Sequence, residues 1–266
     1  MLYLNDTYFV VILTIIAFGA SLLTFYSGFG LGTLLLPTLM SVLPPSNAVF
    51  LTAIIHLSNN ALKLIMMGKY ADIKILKRFG IPSLIAALLG AFLLSELQPE
   101  KPWILYNIKN QVLAITPLKL LLGVIIFIFG IWELTPRLRE LQIPEKYMQV
   151  GGFLSGFFGG LSGHQGALRS AFLIKTGLDK NTFIGTSVVI ACGVDLARIG
   201  VYANKTSGDA FIFNSPYFWA AFLGATLGTF LGKRFLSVTP LHWIRSLTGG
   251  ALMGFGLSLA MGLFGK

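Results

Sequence analysis

From Thr7 to Leu62 the chain contains no Asp, Glu, Lys or Arg. That run is several times the ~20 apolar residues that carry one helix across a bilayer. The remainder agrees: 55% of the 266 residues are hydrophobic and 11% are charged, where soluble domains carry about 25% charged residues. Mean hydropathy is +0.78. In hydrocarbon each backbone polar group must be bonded inside the protein, which leaves helices for such segments. The expected fold is an all-α polytopic membrane protein. Its first apolar segment lacks a basic leader and a small-x-small cleavage site, and reads as a retained span.

The formal charge of +10 would suggest nucleic acid in a soluble chain. Here the basic residues sit mostly in short loops, where they set topology and touch anionic head groups, so no nucleic-acid partner is expected. Cys192 is the single cysteine, which excludes an internal disulfide and any CxxC motif. His56, His164 and His242 have no metal-ligand spacing, and GxSxG, HExxH and P-loop patterns are absent. Neither a metal nor another cofactor is expected, nor an enzyme.

Segment one, about 8–43, is too long for one straight span and is interrupted by Gly28, Gly30, Gly32 and Pro37. It reads as a discontinuous helix or as a helix with a re-entrant half-helix. Helices follow at about 46–68, 79–97 and 116–134, with Lys69, Lys74, Lys77 and Arg78 in a loop and a polar insert over 96–111. After a short charged linker come segments at about 151–177, 179–203, 215–232 and 240–264.

The halves repeat. Thr52 and Thr186, Pro82 and Pro216, Ala86-Ala87 and Ala220-Ala221, and Leu89-Gly90-Ala91 and Leu223-Gly224-Ala225 share an offset of 134, which also sets Gly32 on Gly166. A fixed offset across several helices is the signature of duplication. The expected organisation is two tandem four-helix repeats, about eight transmembrane helices, over 1–135 and 147–266 with a cytoplasmic linker at 136–146. Four straight spans per half make the repeats parallel; a hairpin at each break makes them inverted. With straight spans and cytoplasmic termini, Lys69, Lys74, Lys77, Arg78, Arg137, Arg139, Lys146, Lys205 and Lys266 fall inside. Lys101, Lys109, Lys175, Lys180, Lys233 and Arg234 then fall outside, a bias of the expected sign.

The sharpest chemical signal is the second break, Gly163-His164-Gln165-Gly166, with Arg169 one turn on. Glycines expose backbone N–H groups, a half-helix start carries partial positive charge, and a guanidinium offers a planar fork to an oxyanion. Together they read as an anion site, against the plainer reading of packing glycines and a snorkelling arginine. Thr52, His56, Asn59 and Lys63 share a helix face by spacings of four, three and four; they either line the same path or glue helices together. Thr186 and Ser187 occupy the matching place in the second half. Asp195 and Arg198, three apart, read as an ion pair or, with His56, as a proton-coupling group.

These residues resemble the sulfite exporter TauE/SafE family of membrane permeases over nearly the whole chain. Gly28-Phe29-Gly30-Leu31-Gly32 to Pro37, then Ala48 and Thr52, is similar to that family's G-x-G-G-G…P…A-x-x-T-S motif. Gly163 to Gly166 followed by Gly185-Thr186-Ser187 matches more loosely, with His164-Gln165 among the glycines and Ala171 in the place of proline. The resemblance implies a plasma-membrane permease, as in a prokaryotic inner membrane, for sulfite, sulfonates or related anions. The expected function is secondary transport, in the export direction, of a small anion. A passive anion channel or an importer of an organic anion are the alternatives. The expected partners are the anion, the lipid bilayer and protons, and the sequence leaves room for a homo-oligomer.

Overall fold

The computed structural model describes residues 2–27, 31–97, 101–108, 111–203, 215–235 and 241–263. Ten principal helices follow in chain order among the described residues. They are α1 Leu2–Ser27, α2 Leu31–Met40, α3 Pro45–Met67, α4 Ile73–Glu96, α5 Pro117–Leu134, α6 Met148–Ser162, α7 Gly166–Leu173, α8 Lys180–Ala203, α9 Pro216–Phe235 and α10 Leu241–Ala260. Among the described residues four stretches are long and apolar enough to cross a membrane: Pro45–Tyr70, Ile73–Glu96, Pro117–Leu134 and Lys180–Ala203. Their outer faces are apolar and exposed, as with Ile81, Ile85, Leu88 and Phe92 on α4, while Ser21, Asn59, Asp195 and Arg198 are buried. Polar inside and apolar outside is the arrangement a lipid solvent selects.

Two expectations need correction. The polar insert before α5 carries two strands, so the mostly helical fold is not purely α. Residues Ile104–Ile108 (β1) and Gln111–Ile115 (β2) pair antiparallel, Ile104 opposite Ile115. The β-branched and aromatic residues Ile104, Tyr106, Ile108, Val112 and Ile115 favour this, and Tyr106 donates to the Met261 carbonyl. Helix α4 also begins before residue 79. The Asp72 carboxylate accepts from the Lys74 and Ile75 amides at 2.7 and 2.9 Å, an N-cap that draws Lys74, Lys77 and Arg78 into the helix. A π-helical turn at Leu76–Gly80 follows.

Segment one is two helices, and its second part turns back. Leu34, Pro37 and Thr38 of α2 share one groove with Ile16, Gly19 and Ala20 of α1. The Thr24 hydroxyl accepts from the Leu31 amide at 2.7 Å, satisfying an orphan N–H at the start of α2. The second break behaves alike. Helix α6 ends at Gly163 with φ 81°, a left-handed position that a residue with a Cβ rarely adopts. Helix α7 then runs back along α6: the Ile143 amide reaches the Ala171 carbonyl at 3.1 Å, and the Phe172 ring covers Gly151. At the two tips, a Cβ on Gly32 would stand 3.3 Å from the Gly163 carbonyl oxygen.

Helix directions follow from which residues meet. Gly152, Gly156 and Gly160 of α6 lie on the backbone at Phe79, Ser83 and Ala87 of α4, so that pair is parallel. Gly224 and Gly228 of α9 lie on Thr14 and Phe18 of α1, again parallel. By contrast α3 and α8 run antiparallel, with His56 beside Asp195 and Met67 beside Gly185. So do α5 and α10, with Gly123 against Gly256 and Gly130 against Gly249. Small residues at each crossing allow backbones to approach closely, the usual packing device in lipid.

Candidate functional site

The two hairpin tips stop against the middle of α3 and α8, and the polar residues of all four elements gather there. A cavity of ≈ 20 Å³, space for about one water, is lined by Thr24, His56, Asn60, Lys63, Arg169, Phe183, Ile184, Ser187, Val188 and Ala191. Lys63 reaches it from α3 and Arg169 from α7, both nearly inaccessible to solvent. The Ser187 hydroxyl, also buried, finds no hydrogen-bond partner among the described residues. No acidic residue is among the lining residues. Two buried cations with a free hydroxyl make a surface that fits an oxyanion.

Beside the cavity lies a polar network centred on Asp195. The carboxylate only accepts, so the His56 Nδ1–H donates to Oδ2 at 2.6 Å, and the Asn60 amide donates to the same oxygen at 3.0 Å. Oδ1 takes the Arg198 Nε–H at 3.1 Å and lies 2.9 Å from Nη2. Gln165 bridges the network to the cavity: its Nε2 reaches Oδ1 at 3.5 Å and its Oε1 accepts from Arg169 Nη1 at 3.1 Å. The hairpin tip is therefore bonded to α8 through side chains, and Gln165 sets the direction of the Arg169 guanidinium.

The predicted residues separate into groups. His56, Lys63, Arg169 and Ser187 line the cavity, and Gln165 and Asp195 adjoin it. Gly32, Gly163 and Gly166 form the tips without lining it. His164 is buried on the other side of its tip, its ring stacked on Phe129 at 5.0 Å and Nδ1 3.0 Å from the Ser162 hydroxyl. Asn59 is turned toward α1 and α9. With its amide nitrogen donating to Ser21 at 3.0 Å and to Thr229, its oxygen accepts from Lys63 at 3.2 Å. Thr186 accepts the Asp72 amide at 2.9 Å and braces the connection before α4. Thr52 is buried but away from the cavity lining. Gly28 and Gly30 lie outside the described residues. The sequence offers no signal for Thr24, while Asn60 stands four after His56 in the same polar line as Asn59.

Among the described residues no group of three or more His, Cys, Asp or Glu could hold a metal ion. The glycine tips, the buried cations and the apolar exterior occur on a chain whose residues 13–259 match the family model for the sulfite exporter TauE/SafE. The chain belongs to that family. No curated protein and no solved structure matches it. TauE/SafE membership makes it a multi-pass membrane protein of a transporter family that handles sulfur-containing anions. In this TauE/SafE chain the two hairpins carry the glycine motifs, and only the second brings a cation to the cavity.

Proposed function

We propose that the protein is a secondary transporter that exports a small sulfur oxyanion, sulfite or a sulfonate, across the plasma membrane. One observation carries the reading: Lys63 and Arg169 converge on a single buried cavity that no carboxylate lines. Two cationic side chains with a hydroxyl on one cavity wall match the charge and hydrogen-bonding needs of an oxyanion. The ≈ 20 Å³ volume corresponds to a closed state, so the site must open to load. His56 and Asp195 stand where a proton could be exchanged with the network, which is the coupling role we assign them.

The helix directions support two inverted repeats, 1–135 and 147–266, joined by the linker 136–146. Under the 134-residue offset α1–α2 corresponds to α6–α7, α3 to α8 and α4 to α9, while α5 corresponds to α10 by a shorter offset, with Thr116-Pro117-Leu118 recurring as Thr239-Pro240-Leu241. The pairs that map onto themselves, α3 with α8 and α5 with α10, are antiparallel, as an axis in the membrane plane requires. Each repeat is then a re-entrant hairpin and three spans. On that layout Lys69, Lys74, Lys77, Arg78, Arg137, Arg139, Lys146, Lys175, Lys180, Lys233 and Arg234 share one side. Lys101, Lys109, Lys205 and Lys266 share the other. This segregation is sharper than the one from straight spans, and it makes the first side cytoplasmic. Both termini then face outward, opposite to the orientation that straight spans favour. The cavity leans to the cytoplasmic side, since Phe183 and Ile184 belong to the first turns of α8, which suits export.

The test is sulfite counterflow in proteoliposomes together with a thermal-shift panel of sulfite, sulfate, thiosulfate, sulfonates and carboxylates. A carrier gives counterflow, and the anion it binds best raises the melting temperature most. Currents beyond carrier turnover without counterflow would identify a channel instead. No stabilisation by any anion would remove the site.

A further inference from the structure

Arg198 is fully buried, and Asp195 engages only one edge of its guanidinium. Its Nη1 finds no hydrogen-bond acceptor among the described residues and is pressed against Gly163, where an added Cβ would stand 2.8 Å from it. His164, the next residue on the same tip, is equally buried, and its Nε2 is also without a partner. Each is a buried side-chain nitrogen left unsatisfied among the described residues, that of Arg198 against Gly163 and that of His164 on the next residue of the tip, and such a group calls for an explanation such as a ligand or a second state. Along α8 the order is Ser187 and Ala191 at the cavity, then Asp195, then Arg198. The step from Ala191 to Arg198 is about 10 Å along the axis.

Building on the transporter reading, we propose that Arg198 and His164 form a second anion station on the far side of the hairpin tip, with Asp195 as its resident competitor. In the state described, the carboxylate occupies Arg198 and the anion's place is beside Lys63 and Arg169. When Asp195 is held by His56 and Asn60 alone, the Arg198 fork is open to the anion, and the tip residues Gly163 and His164 complete its surroundings. The substrate takes the place of the carboxylate at Arg198, so this buried guanidinium has a counter-charge at either end of the step.

Anomalous scattering from bromide-soaked crystals tests this, comparing the wild type with Asp195→Asn. The wild type is expected to hold bromide at Lys63 and Arg169, and D195N to hold a second ion at Arg198 and His164. Bromide at Lys63 and Arg169 alone in D195N overturns the second station and leaves the transporter reading standing. Bromide at neither position overturns both. Should D195N fail to accumulate, Arg198→Lys carries the test in proteoliposomes. Replacing a planar fork by a point charge should cut sulfite counterflow by about tenfold or more while the sulfite thermal shift persists. Unchanged counterflow, or loss of the shift together with the flow, overturns the proposal.

Discussion

Lys63 and Arg169 differ in how they are held, and their variants should differ accordingly. Arg169 is aimed by Gln165, so Arg169→Lys keeps the charge and loses the aim. A charge-assisted hydrogen bond is worth about 1.5–3 kcal/mol, which is roughly a tenfold or greater loss of affinity. Sulfite titrations followed by thermal shift should show that loss for R169K and no response for Arg169→Gln, with both variants folding. Retained stabilisation in R169Q would place the anion elsewhere. His56, Lys63 and Arg169 stand out in the sequence because cations and a histidine are conspicuous in apolar helices. Spacing could not choose between Asn59 and Asn60. From His56 they lie about 60° to one side and about 40° to the other on a helical wheel. The choice is made by the neighbours, Ser21 and Thr229 for Asn59 and Asp195 for Asn60, and these are remote in sequence.

At the scale of elements, the glycine stripe of α6 makes a firm demand. Gly156 rests directly on the Ser83 backbone, so Gly156→Leu must push α4 and α6 apart. Overpacking of that kind costs about 1–3 kcal/mol or more, and a lower melting temperature and yield in detergent are expected. A wild-type melting curve for G156L would mean that α4 and α6 do not pack in this register. The cap of α8 makes a milder demand. Asp179 accepts from the Thr182 hydroxyl at 2.5 Å and from the Asn181 amide at 2.9 Å. The Thr182 hydrogen bonds hold its carboxyl below the usual carboxylate range. Its contribution is present above that range and fades as pH falls through the lowered value. Asp179→Ala should therefore melt lower than wild type near neutrality, with the gap closing in acid; a gap that widens in acid would contradict the cap. The breaks themselves were legible as breaks. Whether the chain went straight on or folded back was not, since glycine permits both. Ile143 with Ala171, and Phe172 on Gly151, decide it by contacts that no local pattern encodes.

For the whole molecule, the proposed correspondence between halves starts from a sequence offset, and the number of membrane passes depends on two hairpins that the offset cannot see. The inverted layout makes an external check simple. Cys192 is buried and is the single cysteine, so a Cys192→Ala background gives blank labelling. On it, Leu105→Cys on the exposed β1 strand should react with an impermeant maleimide on intact cells. Lys69→Cys, in the exposed turn after α3, should react only after permeabilisation. The reverse pattern would restore cytoplasmic termini. The contact of Gly32 with Gly163 has an electrical consequence as well. An anion carried from one side of the membrane to the other past these two tips takes its charge through the membrane potential, worth about 2.3 kcal/mol per elementary charge per 100 mV. With the interior negative, that potential drives anions outward, so a potassium diffusion potential imposed on proteoliposomes should speed sulfite efflux when the cytoplasmic side is negative and slow it when the sign is reversed.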